Sequence, residues 1–102
     1  MQNDPEVDAM VEQLRRQEQE IDRIRRDVEA MVVKGRSRAG EVEASVRGNG
    51  RLAGVSIDPA TVRQYDTHDL GVIVTEAVNA ALDNLAKVVQ ARFAPTLASL
   101  PA

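Results

Sequence analysis

The sequence predicts a small α+β domain in which two long helices flank a three-stranded antiparallel sheet, in the order α-β-β-β-α. Residues 41–57 alternate apolar and polar side chains on either side of an Asn-Gly pair, which is the pattern of a β-hairpin. The segments before and after this hairpin instead repeat apolar residues every three or four positions, which is the period of a helix. We therefore interpret residues 1–102 as a single domain built around the hairpin.

The first helix is predicted over about residues 5–32, with Asp4 as its N-cap and Pro5 in its first turn. Its apolar residues lie alternately three and four positions apart and form a heptad seam that Gln17 interrupts. The seam consists of Val7, Met10, Leu14, Ile21, Ile24, Val28 and Met31. Such a narrow seam indicates contact with one other helix, either the second long helix of this chain or the same helix of a partner.

Three short strands follow, and we expect them over about residues 33–38, 41–47 and 51–57. Asn49 and Gly50 tolerate the positive φ angles of a tight hairpin turn, and Pro59, which has no amide hydrogen, ends the third strand. Residues 32–40, which include the first strand, hold two glycines and three Lys or Arg, a composition typical of an edge strand that charge protects against stray pairing.

The second long helix is predicted over about residues 67–94, after a connector with room for one helical turn. Asp66 or Thr67 is expected to cap it, and Pro95 to end it, which leaves residues 95–102 as a poorly ordered tail. Its apolar face is broader than that of the first helix. This breadth indicates burial against the sheet and against a further helix.

Basic residues concentrate in the middle of the chain. Residues 15–51 hold ten Lys or Arg against seven Asp or Glu, whereas residues 1–14 hold four acids and no base. Eleven of the thirteen basic residues are Arg, whose planar guanidinium suits phosphate. On the first strand, Lys34, Arg36 and Arg38 share a parity and therefore a face, and with Arg47 and Arg51 in the hairpin they form the best electropositive patch. Pairing with neighbouring carboxylates on a solvated surface is the simpler interpretation of any single arginine.

The residues that enzymes and metal sites need are scarce. The single histidine, His68, lies between Asp66 and Asp69 in a segment that helix capping already explains, and there is no cysteine. Gly48 and Gly50 do not lead into a helix N-terminus, so they are turn residues rather than a phosphate loop. We expect no catalytic residue, no metal, no cofactor and no small-molecule substrate. No apolar run approaches the roughly 20 residues of a membrane span, and we expect a cytoplasmic protein.

Residues 41–59, Glu-Val-Glu-Ala-Ser-Val-Arg-Gly-Asn-Gly-Arg-Leu-Ala-Gly-Val-Ser-Ile-Asp-Pro, resemble the YbaB/EbfC family of bacterial nucleoid-associated proteins. Residues 77–81, Ala-Val-Asn-Ala-Ala, extend the resemblance, which covers about residues 6–94 and is greatest to arginine-rich actinobacterial members. It implies a tweezer-like homodimer that binds double-stranded DNA with low sequence preference and takes part in nucleoid organisation or gene regulation. The motifs are structural rather than catalytic.

Two functions are open at this point. The first is a dimeric nucleoid protein that contacts DNA phosphates in a salt-dependent way. The second is a non-enzymatic adaptor, in the setting of a specialised secretion system, that docks a protein through the heptad seam. The candidate DNA-binding residues are Arg15, Arg16, Arg23, Arg25, Arg26, Lys34, Arg36, Arg38, Arg47 and Arg51. The candidate dimer or partner interface is Leu14, Ile21, Ile24, Val28, Ile73, Ala77 and Ala81. Arginines free of carboxylates on the first helix would favour DNA, and paired ones would favour the adaptor.

Overall fold

The computed structural model describes residues 4–98 and confirms the predicted α+β architecture. The elements are α1 (Pro5–Glu29), β1 (Val32–Arg36), β2 (Val42–Arg47), β3 (Leu52–Ile57), α2 (Pro59–Gln64) and α3 (Thr67–Ala98). The three strands form one antiparallel sheet in the order β1-β2-β3, so β2 is central. The molecule is elongated, with extents of 76 × 21 × 16 Å. Among the described residues, no helix is long and apolar enough to cross a membrane.

The start of α1 is as predicted, and its end is three residues earlier. The Asp4 carboxylate accepts a hydrogen bond from the Glu6 amide at 2.9 Å, and Pro5 lies in the first turn. The helix ends at Glu29 rather than near residue 32, because Val32 already pairs with Arg47 in the sheet. The branched side chain at position 32 suits this extended conformation better than a helix.

The turns set the limits of the strands. β1 ends at Arg36 rather than near residue 38, because residues 38–40 turn and Gly40 adopts a φ of +79°. In the hairpin turn Gly50 has a φ of +85°, as expected. Asn49 does not take a positive φ, and its side-chain oxygen instead accepts a hydrogen bond from the Arg51 amide at 3.0 Å.

Helix α3 covers one face of β1 and β2, and the core lies between them. The buried residues of this core are Val42, Ala44, Val46, Ala77, Ala81 and Leu85. Gly35 makes the close approach possible, since a Cβ atom at this position would lie 2.0 Å from the backbone nitrogen of Ala81. The small side chains at 77 and 81 therefore bring the helix against the strand backbone rather than against a second helix.

The segment after the sheet differs from expectation at one point. The connector contains α2, whose first turn is capped by the Asp58 carboxylate, and Asp66 caps α3 by accepting a hydrogen bond from the Asp69 amide at 2.8 Å. The expectation that Pro95 ends the second long helix is wrong, because α3 continues to Ala98 with Pro95 inside it. A proline removes one amide donor from a helix. Pro95 lies in the last described turn of α3, and the helix tolerates that loss there. The rest of the expected tail, residues 99–102, lies outside the described part of the chain.

Candidate nucleic-acid interface

The sheet face that α3 does not cover is polar apart from the exposed Val32, which lies opposite Arg47, and we call it the outer sheet face. It carries Lys34 and Arg36 from β1, and Glu43, Ser45 and Arg47 from β2. The register places Lys34 opposite Ser45 and Arg36 opposite Glu43, and directly opposed residues project from the same side of a sheet. All three cations are exposed. The strand parity predicted for Lys34 and Arg36 is therefore confirmed, and the register adds Arg47 to them.

One carboxylate lies among these cations. Glu43 accepts a hydrogen bond from Arg36 Nε at 2.9 Å, and Lys34 Nζ lies 3.5 Å from its other oxygen. The hydrogen bond from Arg36, with a smaller contribution from the charge of Lys34, lowers the pKa of Glu43, so this side chain is ionised at neutral pH. Arg47 forms no ion pair within residues 4–98. Three cations against Glu43 give the strand residues of the outer sheet face a net charge of +2, and Glu41 and Asp58 line a shallow groove with Arg36 and Glu43 at the edge of that face.

Arg38 and Arg51, the other two members of the predicted patch, lie in turns at opposite ends of the sheet. The amide of Arg38 donates to Glu76 Oε1 at 2.9 Å, which ties the β1–β2 turn to α3. Arg51 follows the β2–β3 turn, and its carbonyl accepts from the Arg47 amide at 2.7 Å. The five cations that the sequence suggested as one patch are therefore divided into a central group of three and one at each end.

The arginines of α1 are of two kinds. Three of them pair with an acid three residues earlier: Arg15 with Glu12 at 3.5 Å, Arg23 with Glu20 at 2.6 Å, and Arg25 with Asp22 at 3.5 Å. Arg16 and Arg26 have no such partner among residues 4–98, and both line a shallow groove with Arg23. Exposed pairs of this kind contribute about 0–1 kcal/mol to stability and do not remove the arginines from solvent. Helix α1 thus offers two unpaired cations for phosphate.

The apolar residues proposed for a dimer or partner interface are mostly used inside the chain. Val28, Ala77 and Ala81 are buried, and Ile21, Ile24 and Ile73 are half-buried. Leu14 alone among the seven is largely exposed, at 51%. A partner could reach the buried three only if the core opened. The dimer and its interface stay predictions, and of the seven residues Leu14 and the three half-buried isoleucines are accessible to a partner.

Sequence reasoning missed an apolar surface beside β3. Val46 pairs with Leu52 and Ala44 with Val55, so Leu52 and Val55 project from the same side as the core. Because α3 packs over β1 and β2, both side chains are left exposed, as is Leu82 on α3. The signal was available: the whole of β3, Leu52–Ile57, contains no charged residue, although natural edge strands are usually protected by charge.

Together these features define a small helix-flanked sheet protein with an exposed basic face. The model of the YbaB/EbfC DNA-binding family matches residues 3–100, and the chain belongs to this family. This confirms the resemblance seen in the hairpin and in α3. Family membership supports a DNA-binding role.

Curated relatives agree with this assignment, and a solved structure shares the fold. A nucleoid-associated protein of Streptomyces avermitilis is 30% identical over 91 residues, which cover 89% of this chain and 80% of the relative. One of Chlorobium chlorochromatii is 31% identical over 87 residues, covering 84% and 76%. The crystal structure of the uncharacterized protein HP0035 from Helicobacter pylori aligns with a TM-score of 0.69 at 17% identity, over 86% of this chain and 92% of that one. At that identity the likeness shows the fold alone.

Proposed function

We propose that this protein is a nucleoid-associated homodimer that binds double-stranded DNA through its outer sheet face. The observation that carries the proposal is the cluster of Lys34, Arg36 and Arg47, exposed together on one sheet surface where Glu43 is the one acidic residue within the strands. Membership of the YbaB/EbfC DNA-binding family supports DNA as the ligand, and the nucleoid-associated relatives support the nucleoid as its location.

The side chains on this face favour phosphate contacts over base recognition. Between the cations lie small residues, Ser45 on β2 and Ser56 on β3, and no aromatic side chain that could wedge between bases. Lys and Arg that contact phosphates fix the position of the protein and carry no sequence information. Binding should therefore show low sequence preference and weaken steeply with salt. Six cations in a dimer correspond to a slope of up to about −5 in log K against log salt.

The unpaired arginines of α1 are proposed as secondary contacts. Arg16 and Arg26 have no carboxylate partner within residues 4–98, so their charge is fully available to phosphate. Arg15, Arg23 and Arg25 contribute less, because each is accompanied by a carboxylate within 3.5 Å that repels phosphate. The turn residues Arg38 and Arg51 extend the basic surface at its two ends.

The dimer is proposed to form at β3. This strand is an uncharged sheet edge with free backbone groups, and Leu52, Val55 and Leu82 are exposed beside it. A second copy that pairs antiparallel along the same edge would satisfy these groups and bury the apolar side chains of both copies about a two-fold axis. An axis perpendicular to the sheet would leave both outer sheet faces on one side. The dimer would then present six cations to one stretch of DNA.

A double substitution tests the DNA interface. Lys34→Gln with Arg47→Gln removes two exposed charges without touching the core, and we expect roughly tenfold weaker binding of a short fluorescent duplex at low salt. The salt slope should fall by about one for each phosphate that the variant no longer neutralises. The matched control is Arg63→Gln with Arg92→Gln, which removes the same charge from exposed positions on α2 and α3. An equal loss of affinity in this control would show that net charge, rather than the outer sheet face, governs binding.

A charged residue at the β3 edge tests the dimer separately. Val55→Lys should convert the dimer to a monomer, as measured by light scattering, because two buried ammonium groups would face each other across the edge. Val72→Lys on α3 introduces the same charge at a residue that is also half-exposed, and this variant should stay dimeric. If Val55→Lys keeps the mass of a dimer, the proposed edge pairing is wrong while the DNA interface remains testable on its own.

A further inference from the structure

The first part of α1, residues 4–14, lies outside the proposed DNA interface, and we call it the α1 arm. All of its residues are exposed. Val7, Met10, Val11 and Leu14 are between 49% and 63% exposed, and their spacing places them in one stripe along the helix. The same seam continues into Ile21, Ile24 and Val28, which do pack within the chain. The apolar stripe is therefore covered in its second half and open in its first.

The α1 arm is stabilised at its N-terminus by local interactions, and on the side away from the stripe Ala9 and Gln13 line a groove with Pro95 and Thr96 of α3. An isolated helix of this length is marginal in water, so its N-terminus needs stabilising groups. Asp4 accepts a hydrogen bond from the Glu6 amide at 2.9 Å, Pro5 occupies the first turn, and Glu6 and Asp8 place negative charge near the helix N-terminus. A preformed helix with an uncovered apolar stripe can bind without a large ordering cost.

The charges beside the stripe indicate which partner could cover it. Asp4, Glu6, Asp8 and Glu12 are the only charged residues of the α1 arm. By the helical period, Asp4 and Asp8 flank the stripe on one side and Glu6 on the other, as acidic residues flank the seam of a coiled coil that pairs with a basic partner. Arg15, the first base along α1, is already paired with Glu12 at 3.5 Å.

Two other occupants are disfavoured by the same charges. A second α1 arm laid along the first would bring together eight carboxylates, four from each copy, with no cation between them, which is unfavourable. DNA phosphates would meet the same repulsion. The proposed dimer edge, β3, is a different element and does not need the arm.

We propose that the α1 arm docks a basic amphipathic helix of a partner protein. Val7, Met10, Val11 and Leu14 pack against the apolar face of that helix, and the flanking acids pair with its Lys or Arg side chains. The arm lies at the end of α1 remote from the sheet, since the backbone of Val28 is the part of α1 that adjoins Gly48 in the hairpin. From Leu14 to Val28 is about 21 Å along a helix. The protein can therefore hold DNA and the partner helix at once, and bring the partner to DNA.

Two synthetic peptides test the proposal on the full chain. Both are amphipathic helices with the same leucine stripe, one flanked by lysine and the other by glutamate. We expect the fluorescent lysine peptide to bind, with affinity that falls as salt rises, and the glutamate peptide to bind at least tenfold more weakly. Binding of both peptides with equal affinity, or of neither, would overturn the proposal.

Variants of the arm locate the binding. Met10→Ser with Leu14→Ser should lower the affinity for the lysine peptide at least tenfold, because the variant no longer buries two apolar side chains on binding. A second variant combines Asp4→Asn, Glu6→Gln and Asp8→Asn. It should lower the affinity for the lysine peptide and make that affinity less dependent on salt, while Asn at position 4 keeps the N-cap. Circular dichroism checks that each variant is folded, and the affinity of each for duplex DNA should not fall.

The control carries one change of each kind elsewhere in the chain. Val72→Ser with Asp83→Asn removes one exposed apolar residue and one charge from α3, and it should bind the lysine peptide as the unsubstituted protein does. Loss of peptide binding in this control, with binding kept in the arm variants, would place the site outside the arm. If Met10→Ser with Leu14→Ser instead lowers the mass of the protein in light scattering, a second copy covers the stripe and the proposal is wrong.

Discussion

The two faces of the sheet consist of alternate residues of the same strands, yet they respond to different kinds of change. On the inner face, Gly35 lies against α3 with no room for a Cβ atom and Ala44 is fully buried, so the fit of the side chains determines stability. On the outer sheet face, Lys34, Arg36 and Arg47 extend into solvent, so charge decides what binds. Stability and the proposed DNA binding should therefore be separable by substitutions one residue apart.

Gly35→Ala should have the largest effect on stability. The new Cβ atom would lie 2.0 Å from the Ala81 nitrogen and 2.5 Å from the Ala80 carbonyl carbon, and because both are backbone atoms, α3 would have to move. We expect unfolding to become easier by about 3 kcal/mol, as measured by urea denaturation.

Gly54→Ala is the matched control for this change. Gly54 is also in a strand, but a Cβ atom added to it would have no other atom within 4 Å, and its φ is not positive. The stability of this variant should stay within about 0.5 kcal/mol of the unsubstituted protein. Equal losses in the two variants would mean that strand propensity, not the close approach of α3, explains the need for glycine.

Ser37→Ala should have the next largest effect. Ser37 is buried at the end of the inner face, where its hydroxyl donates to Glu41 at 2.7 Å and accepts from the Val42 amide at 3.1 Å. Removing the hydroxyl leaves a buried amide unpaired, which costs about 1–3 kcal/mol. Ser56→Ala, at an exposed strand position, is the control and should be nearly neutral in the same denaturation experiment. A stable Ser37→Ala protein would indicate that water replaces the hydroxyl.

The alternation of apolar and polar residues predicted the buried face of β2 correctly but not that of β3, because the position of α3 decides which strands are covered. The alternation of Val42, Ala44 and Val46 correctly marks the buried face of the central strand. In β3, Leu52 and Val55 face the same side but are exposed, because the contact between Gly35 and Ala81 holds α3 over β1 and β2. Because that contact joins residues far apart in the sequence, the spacing of apolar residues along the chain does not reveal it.

The candidate site shows the same division between local and tertiary information. Strand parity was sufficient to group Lys34 with Arg36. The position of Glu43 between them depends on the register of β1 against β2, which pairs it with Arg36. The register is set by the turn at residues 38–40 and by the packing of the inner face, so the carboxylate among the cations could not be recognised from the sequence.

Glu43→Gln should have a small effect on stability that depends on pH. The hydrogen bond from Arg36, with Lys34 nearby, lowers the pKa of Glu43 in the folded protein, so the ionised form stabilises the fold above the unfolded pKa. This stabilisation is lost as the pH falls through the folded pKa. The stability difference between the unsubstituted protein and Glu43→Gln should therefore be present at neutral pH and narrow below about pH 4. A difference that is constant down to acid pH would contradict the ion pairing.

The same variant should improve DNA binding. Glu43→Gln removes the one carboxylate that the strands place on the outer sheet face, frees Lys34 and Arg36 for phosphate, and raises the net charge of the strand residues on that face from +2 to +3. We expect roughly two- to threefold tighter binding of a short duplex at low salt and little change at high salt. Asp83→Asn, which removes a negative charge from an exposed position on α3, is the control and should leave the affinity unchanged. If Glu43→Gln binds more weakly, the carboxylate acts by holding the two cations in position for phosphate, and the roles of the two faces in stability and binding would be less separate than the fold suggests.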